Sequence, residues 1–149
     1  RVRASPAYHD THGRPERRED LAQHQLLAPD VALERRHWEI RRHSDGEVRT
    51  VPFGSSTARM TSASPELMIG AVRHGLGITG SLSLAVADDL RTGRLERVLP
   101  EWEIATYRLY AAMPTGRHLP LRVRAFVDYL AERYGGDAVD PWLAAATPP

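Results

Sequence analysis

Residues 75–80 read Gly-Leu-Gly-Ile-Thr-Gly, and the position of these glycines constrains the fold more than any other feature of the chain. In a dinucleotide-binding turn, such glycines follow a strand and open a helix whose N-terminal amides hold a pyrophosphate. Here a helical pattern comes first. Ser64 suits the N-cap, Pro65 suits the first helical position, and Gly75 suits a left-handed C-terminal cap. We therefore predict a helix that ends at Gly75 and a short buried strand over residues 77–79, and we do not predict a nucleotide loop.

The composition indicates a single water-soluble domain. The 149 residues are 42% hydrophobic and 26% charged, which supports one core and leaves too little chain for two full-sized domains. A formal net charge of +1 gives no bulk attraction to nucleic acid, and the absence of cysteine excludes disulfides and thiol chemistry. No apolar run reaches the roughly 20 residues that span a bilayer, and no leader pattern precedes Ala4. We expect a cytoplasmic protein without membrane contact.

Strand-like and helix-like patterns alternate along the chain, which favours an α/β fold. Asp45-Gly46 separates two alternating segments and predicts a β-hairpin. The other predicted elements are strands at residues 1–4, 26–28, 95–99 and 107–113, a short helix after Ser5-Pro6, a surface helix from Pro15, a helix from Ser81 to Asp89, and a long amphipathic helix over residues 120–135.

A series of short motifs follows one order from residue 4 to about residue 134. They are Ala4-Ser5-Pro6-Ala7-Tyr8, the Gly13 and Pro15 turn, Asp20-Leu21 with His24, Trp38 before Asp45-Gly46, Ser64-Pro65-Glu66 leading to Gly75-Leu76-Gly77-Ile78, Leu90 and Gly93-Arg94-Leu95 leading to Val98-Leu99-Pro100 and Trp102, and Tyr110, Pro114 and Arg117-His118-Leu119-Pro120 before Arg124-Ala125-Phe126-Val127-Asp128. In this order and spacing the motifs resemble the effector-binding domain of LysR-type transcriptional regulators, specifically its second half.

The resemblance implies a periplasmic-binding-protein-like (type 2) fold, in which two α/β lobes joined by crossing strands hold a small molecule in their cleft. Residues 1–101 would form a largely complete second lobe, and residues 102–135 the crossover with the returning strand and helix of the first lobe. Residues 136–149 would be a loosely held tail. DNA would be bound only through an N-terminal winged helix-turn-helix, absent from these residues. The apolar helix face over residues 119–130 would then need a partner element to cover it.

The resemblance places the effector site at the Ser64 turn and at the end of the strand after Gly75. The expected contacts are Thr61, Ser62, Ser64, Ile78, Thr79 and Gly80. Both places are expected at helix N-termini, where free amides and the helix dipole favour an anion such as a carboxylate. Alternatively, Ser64 and Ser81 only cap their own helices. Where the family commonly has an apolar residue and proline this chain has Gly80-Ser81, so a more polar pocket is expected.

Members of the family pair side by side, and the resemblance implies a homo-oligomer through the helix that follows Ser64. Met68, Ile69 and Arg73 are the expected interface residues, because one helix cannot turn every residue inward. Leu67 and Val72 are expected to pack on the sheet.

The sequence contains no motif for catalysis, a cofactor or a metal site. His9 and His12, with Asp10 between them, lack an evident third ligand, and no Gly-x-Ser-x-Gly elbow occurs. The leading hypothesis is the sensory part of a bacterial regulator that binds a small-molecule effector. Two alternatives remain: an extracytoplasmic solute-binding protein, and a small α/β enzyme with a nucleophile hydrogen-bonded to a histidine.

Overall fold

The computed structural model describes residues 1–29, 37–52, 58–104, 110, 112 and 120–134. In chain order its elements are β1 (Val2–Ala4), α1 (Pro6–His12), a first 3₁₀ helix (Arg18–Gln23), β2 (Leu26–Pro29), β3 (His37–Arg42), β4 (Val48–Pro52), β5 (Ala58–Ser62), α2 (Pro65–Arg73), β6 (Ile78–Gly80), a second 3₁₀ helix (Leu84–Val86), α3 (Ala87–Arg91), β7 (Glu96–Arg97), β8 (Trp102–Glu103) and α4 (Leu121–Tyr134). The predicted strand over residues 107–113 falls outside the described residues, apart from residues 110 and 112, which form no regular element.

The larger sheet has the strand order β5-β2-β6-β1-β7. Strand β2 runs parallel to both β5 and β6, whereas β1 runs antiparallel to β6 and β7. The carboxyl ends of β2, β5 and β6 therefore meet at one edge of the sheet. Strand β1 begins at the same edge, because Val2 lies opposite Gly80.

The smaller sheet has the order β4-β3-β8 and contains the predicted hairpin. Trp38 pairs with Val51 across β3 and β4, and Gly46 turns the chain with φ +73. The guanidinium of Arg42 lies 4.8 Å from the ring centroid of Trp102, a cation–π contact. Because Trp38, Val51 and Trp102 are buried in the same cluster as residues of the larger sheet, the two sheets share a core.

Each face of the larger sheet has its own apolar cluster. Leu26 and Ala28 belong to the cluster that contains the smaller sheet, while Leu27 packs with Val72 of α2 in the second cluster. This alternation along β2 follows from the two-residue repeat of a strand, and it explains why all three residues are buried. A strand covered on both faces is expected in a parallel sheet.

The predicted end of α2 is confirmed. The amide of Gly75 donates to the carbonyl of Val72 at 3.1 Å, and the amide of Leu76 donates to the carbonyl of Ala71 at 3.1 Å. These two bonds form a Schellman cap, which requires a left-handed residue, and Gly75 has φ +73. At the other end, Ser64 Oγ accepts a hydrogen bond from the amide of Leu67 at 3.2 Å.

The side of α2 that faces the sheet differs from the sequence prediction. Met68 and Ile69 are 5% and 8% exposed and lie in the core, whereas Leu67 is 55% exposed. Met68, Ile69 and Val72 form one stripe at helical spacing, and Leu67 lies about 100° around the helix from Met68. The inward position of Val72 is correct, but the assignment of Leu67 inward and of Met68 and Ile69 outward is wrong.

Two further helix predictions are corrected. The surface segment after Pro15 forms a 3₁₀ helix at Arg18–Gln23 and not an α-helix. Ser81 caps no helix, since its amide and carbonyl both pair with Arg1 at 3.0 Å, and the next helical turn begins only at Leu84.

The long amphipathic helix is confirmed as α4, with Leu121–Tyr134 as its bounds. Immediately before the helix, the carbonyl of Pro120 accepts hydrogen bonds from the amides of Val123 and Arg124. Phe126 and Tyr129 are 61% and 53% exposed, so the described residues leave part of its apolar face uncovered.

Gly77 allows β6 to approach β2. A Cβ atom at Gly77 would lie 2.4 Å from the main-chain oxygen of Gln25, which cannot move without displacing β2. At Gly70 in α2, a Cβ atom would meet nothing within 4 Å.

We predict that Gly77→Ala lowers the free energy of unfolding by more than about 2 kcal/mol, because backbone must shift. The matched Gly70→Ala should raise it by up to about 1 kcal/mol, since alanine favours the helix. Urea denaturation followed by circular dichroism measures both. Equal stability of Gly77→Ala and the wild type would contradict the close approach.

Candidate functional site

The ends of β5 and β6 flank the end of β2 at one edge of the larger sheet. Thr61 lies beside Ala28, and Gly80 follows Thr79, which lies beside Leu27. Thr61 and Gly80 are thus separated by one strand, or about 10 Å. Both residues are exposed. In α/β sheets, ligands bind outside the carboxyl ends of parallel strands, so this edge is the candidate site.

Ile78 and Thr79 hold β6 in place beneath this edge. Ile78 is fully buried and Thr79 is 1% exposed. Thr79 Oγ1 donates to the carbonyl of Leu27 at 2.9 Å, which ties β6 to β2. Ile78 and Thr79, both expected to contact the effector, are therefore buried residues that hold β6 in the sheet. Gly80 is the exposed residue at the end of β6.

The two serines at the start of α2 bond to the helix. Ser62 Oγ accepts from the amide of Ser64 at 3.0 Å, while Ser64 Oγ donates to the carboxylate of Glu66 at 2.8 Å. The pKa of Glu66 lies below its usual value because its carboxylate accepts from its own amide and then from Ser64. The N-terminal end of α2 thus already holds a negative charge, which competes with an anionic ligand.

Gly80 and Ser81 lie where β6 leaves the sheet. A Cβ atom at Gly80 would lie 2.5 Å from Ile104 Cδ1, so Gly80 gives room to the segment that follows β8. Within the described residues, the buried Oγ of Ser81 makes no hydrogen bond. Because Ser81 does not cap a helix, the prediction of a helix N-terminus at this point is wrong.

A buried carboxylate fixes the far end of α2. Asp89 is 1% exposed and accepts from Arg73 Nε at 3.1 Å, from Arg73 Nη2 at 2.6 Å and from Arg94 Nε at 2.8 Å. Burial alone would raise the pKa of Asp89, but the hydrogen bonds from both arginines outweigh it and hold the pKa below its usual value. Arg73, expected at an interface with a second copy, is therefore bound within its own chain.

The three residues considered as metal ligands do not converge. His9 and His12 lie against the ring of Tyr8, with centroid distances of 6.2 Å and 4.4 Å. Across the described ranges, no three His, Asp or Glu side chains are grouped as metal ligands. In the same ranges, no helix has both the length and the apolarity to cross a bilayer.

Sequence reasoning missed three features, two at this edge and one at the far end of α2. The charge of Glu66 was readable from its place in the first helical turn, but its bond to Ser64 was not. The approach of Ile104 to Gly80 and the pairing of Asp89 with two arginines depend on tertiary packing between distant residues, for which a single sequence carries no direct signal.

The LysR substrate binding domain family matches residues 1–135. The chain belongs to this family. The match covers both strands of the candidate site as well as α2, and it extends through α4.

Among curated proteins, the LysR-family chain is 37% identical over 134 residues to the probable HTH-type transcriptional regulator LtrA of Klebsiella pneumoniae. It is 33% identical over 133 residues to the HTH-type transcriptional repressor PA14_22550 of Pseudomonas aeruginosa. These alignments cover 87% and 88% of the chain but only 41% and 40% of the two relatives. The chain thus spans about two fifths of the length of these relatives.

Solved structures support the same family. The regulatory domain of AphB in Vibrio vulnificus is 26% identical with a TM-score of 0.69, over 89% of this chain and 63% of that one. The regulatory domain of CrgA, a LysR-type regulator from Neisseria meningitidis, is 27% identical with a TM-score of 0.62, over 91% and 64%. The α/β architecture is accordingly the periplasmic-binding-protein-like type 2 fold of such domains.

We predict that Asp89→Asn lowers the free energy of unfolding by about 2 kcal/mol or more at neutral pH, because both arginines lose their buried partner. The neighbouring Asp88 is 81% exposed and pairs with Arg91 on the surface, so Asp88→Asn should change stability by less than about 0.5 kcal/mol.

The decrease in the free energy of unfolding caused by Asp89→Asn should depend on pH. A carboxyl with a lowered pKa in the folded state contributes stability above its unfolded pKa and loses it as the pH falls through the folded pKa. Urea denaturation should therefore give a smaller difference between Asp89→Asn and the wild type in acid than at neutral pH. A difference that grew in acid would contradict the ion pair.

Proposed function

We propose that this chain is the ligand-sensing part of a bacterial LysR-type transcriptional regulator. The observation that carries the proposal is the exposed edge at the carboxyl ends of β5 and β6, within a chain that matches the LysR substrate-binding family over residues 1–135. The relatives are HTH-type regulators, which favours this function over an extracytoplasmic solute receptor. A small molecule at this edge would change the position of β6 and of the segment that contains Ile104.

The proposed lobe boundaries follow the sheet order. Residues 1–101 contain all five strands of the larger sheet and would form the second lobe. Residues 102–135 would contain the crossover and an element of the first lobe, and residues 136–149 would form the tail. The exposed Phe126 and Tyr129 of α4 support this division, because a helix of the first lobe would be covered by the remainder of that lobe.

The proposed effector is a small molecule bound near Thr61, Ser62 and Gly80, with Ser64, Ile78 and Thr79 as supporting residues. A carboxylate remains the proposed class because the amides of α2 point toward this end of the helix. Glu66 opposes it, since the carboxylate of Glu66 already lies against Ser64. We therefore expect a carboxylate effector to bind more tightly when Glu66 is neutral.

We assign no catalysis to this site. The hydrogen bonds of Ser62 and Ser64 join these serines to amide nitrogens and to the Glu66 carboxylate at the start of α2, which are helix-capping contacts. A nucleophile for acyl transfer would instead need a neighbouring base. The proposal includes no cofactor.

The proposed assembly is a cytoplasmic homo-oligomer that contacts DNA through a separate N-terminal domain. The sequence predicts Met68, Ile69 and Arg73 as the surface for a second copy. Because Met68 and Ile69 are buried in their own chain, we propose that Leu67 and the exposed part of Arg73 contact the second copy.

A thermal-shift titration tests the binding site, with benzoate and succinate as aromatic and aliphatic carboxylate probes. A ligand that binds only the folded state raises the melting temperature, and it stabilises the fold by about 2.7 kcal/mol at 100 times its Kd. We expect a concentration-dependent rise with at least one probe. Thr61→Val should remove most of it, and Glu66→Gln should enlarge it.

Thr50→Val is the matched control, because Thr50 is an exposed threonine in β4 of the other sheet and should leave the shift unchanged. A rise in melting temperature that is unchanged by both Thr61→Val and Glu66→Gln would place the binding site elsewhere. A rise in melting temperature with phenol, but not with benzoate or succinate, would support the site and contradict a carboxylate effector.

A further inference from the structure

Ser81 continues the hydrogen-bonded ladder of β6 by one residue beyond Gly80. The amide of Ser81 donates to the carbonyl of Arg1 at 3.0 Å, and the main-chain nitrogen of Arg1 donates to the carbonyl of Ser81, also at 3.0 Å. Two residues that exchange both bonds form the hydrogen-bonded pair of an antiparallel ladder. The main chain of Ser81 is therefore held in the sheet, and the two-residue repeat of a strand places its side chain on the same face as that of Thr79.

This face of the sheet is the one that α2 covers. Thr79 lies opposite Leu27, and Leu27 packs with Val72 of α2 in the second apolar cluster. Helix α2 begins at the same edge of the sheet, directly after β5. The side chain of Ser81 is thus on the α2 side of the proposed site, whereas Gly80 faces Ile104 on the other side.

Ser62 lies on the same face as Ser81 and at the same level along the strands. Ser62 pairs with Pro29, and Thr79 pairs with Leu27. Pro29 is two residues beyond Leu27, and Ser81 is two residues beyond Thr79, so in these parallel strands Ser62 and Ser81 lie on either side of Pro29. Their Cα atoms are therefore two strand spacings apart, or about 10 Å.

The hydroxyl of Ser81 differs from that of Thr79 in its hydrogen bonding. Thr79 Oγ1 donates to the carbonyl of Leu27 at 2.9 Å. The Oγ of Ser81 is also buried, yet it makes no hydrogen bond in the part of the chain that the structure describes. A buried hydroxyl without a partner destabilises the fold relative to an apolar group of similar size. The serine at this position therefore indicates a role other than folding.

A small rotation would expose this hydroxyl to a ligand. Ser81 as a whole is only partly buried, and rotation about its Cα–Cβ bond to another staggered rotamer moves Oγ without disturbing the main chain. The residues that follow add apolar surface, since Leu82 and Leu84 are 46% and 52% exposed. This end of β6 thus combines a hydroxyl with nearby apolar side chains.

We propose that Ser81 is a specificity-determining residue of the effector site, which binds the second polar group of an effector whose first polar group lies at Ser62. A hydroxyl both donates and accepts, so Ser62, which accepts from the amide of Ser64, retains a proton to donate. Two hydrogen bonds of about 2.8 Å take up about half of the distance between the serines, which leaves the width of one small ring. The ligand class is a ring with a carboxylate at one end and a hydroxyl or carbonyl oxygen at the other.

This inference rests on the proposed function, because Ser62 belongs to the proposed effector site. Its consequence for stability needs no ligand, whereas its consequence for specificity does. The role of Ser81 and the effector site can therefore fail separately.

The first measurement is the melting temperature of the ligand-free 149-residue chain. Ser81→Ala removes a buried hydroxyl that has no hydrogen bond, so it should raise the melting temperature by about 1 to 4 °C. Thr79→Val removes a bonded hydroxyl and should lower it by a similar amount. Ser44→Ala, in the exposed turn of the hairpin, should leave it unchanged. A fall with Ser81→Ala like that with Thr79→Val would assign the hydroxyl a partner within the chain and overturn the proposal.

The second measurement is a thermal-shift titration with 4-hydroxybenzoate and benzoate, which differ only in the second polar group. The wild type should reach the same rise in melting temperature at an about three- to tenfold lower concentration of 4-hydroxybenzoate, the effect of one hydrogen bond. Ser81→Ala should remove this difference and keep the response to benzoate. Ser44→Ala should keep the difference.

The outcomes separate the two ideas. Equal responses of the wild type to both probes, or a preference for 4-hydroxybenzoate that persists in Ser81→Ala, would overturn the role of Ser81 and leave the effector site in place. No response to either probe would contradict the proposed carboxylate site itself, and the role of Ser81 with it.

Discussion

The contact between the main chains of Gln25 and Gly77 determines where β6 lies, and the proposed site depends on β6. The carbonyl of Gln25 accepts from Ile78 in a space that only glycine leaves open. From there β6 runs parallel to β2, is held by the hydroxyl of Thr79, and ends at Gly80 beside the segment that contains Ile104. Displacement of Ile78, at the start of β6, would therefore also move Gly80, which is exposed at the proposed site.

The two ends of α2 are set by charges within the chain, and these charges constrain function. Glu66 neutralises part of the positive dipole end near the proposed site, while Asp89 binds Arg73 at the opposite end. The helix is therefore anchored at its C-terminal end by a buried ion pair, and its N-terminal end is the more open to a ligand. An effector that is a carboxylate must overcome Glu66, whereas a neutral effector need not.

Sequence reasoning succeeded where a local rule determines the structure. The cap at Gly75 needs a left-handed residue, and the hairpin at Asp45-Gly46 needs a tight turn, so both could be predicted from neighbouring residues alone. The order of motifs also led to the correct family and fold.

It failed where neighbouring positions compete for the same packing space. Leu67, Met68 and Ile69 are all apolar, and only the tertiary contacts select Met68 and Ile69 for the core. Serine is a favoured N-cap residue, yet the main chain of Ser81 pairs with the distant Arg1. For the proposed site, the sequence predicted two segments whose strands flank β2 in the sheet, but it could not foresee that the Thr79 hydroxyl is bound to the carbonyl of Leu27.

Amide hydrogen exchange at Ile78 tests most directly whether β6 is fixed by the Gln25 contact. We expect the Ile78 amide to exchange only when the whole chain unfolds, so that its opening free energy equals the free energy of unfolding. Exchange of Ile78 through local opening, at a rate like that of the exposed turn at Gly46, would contradict it.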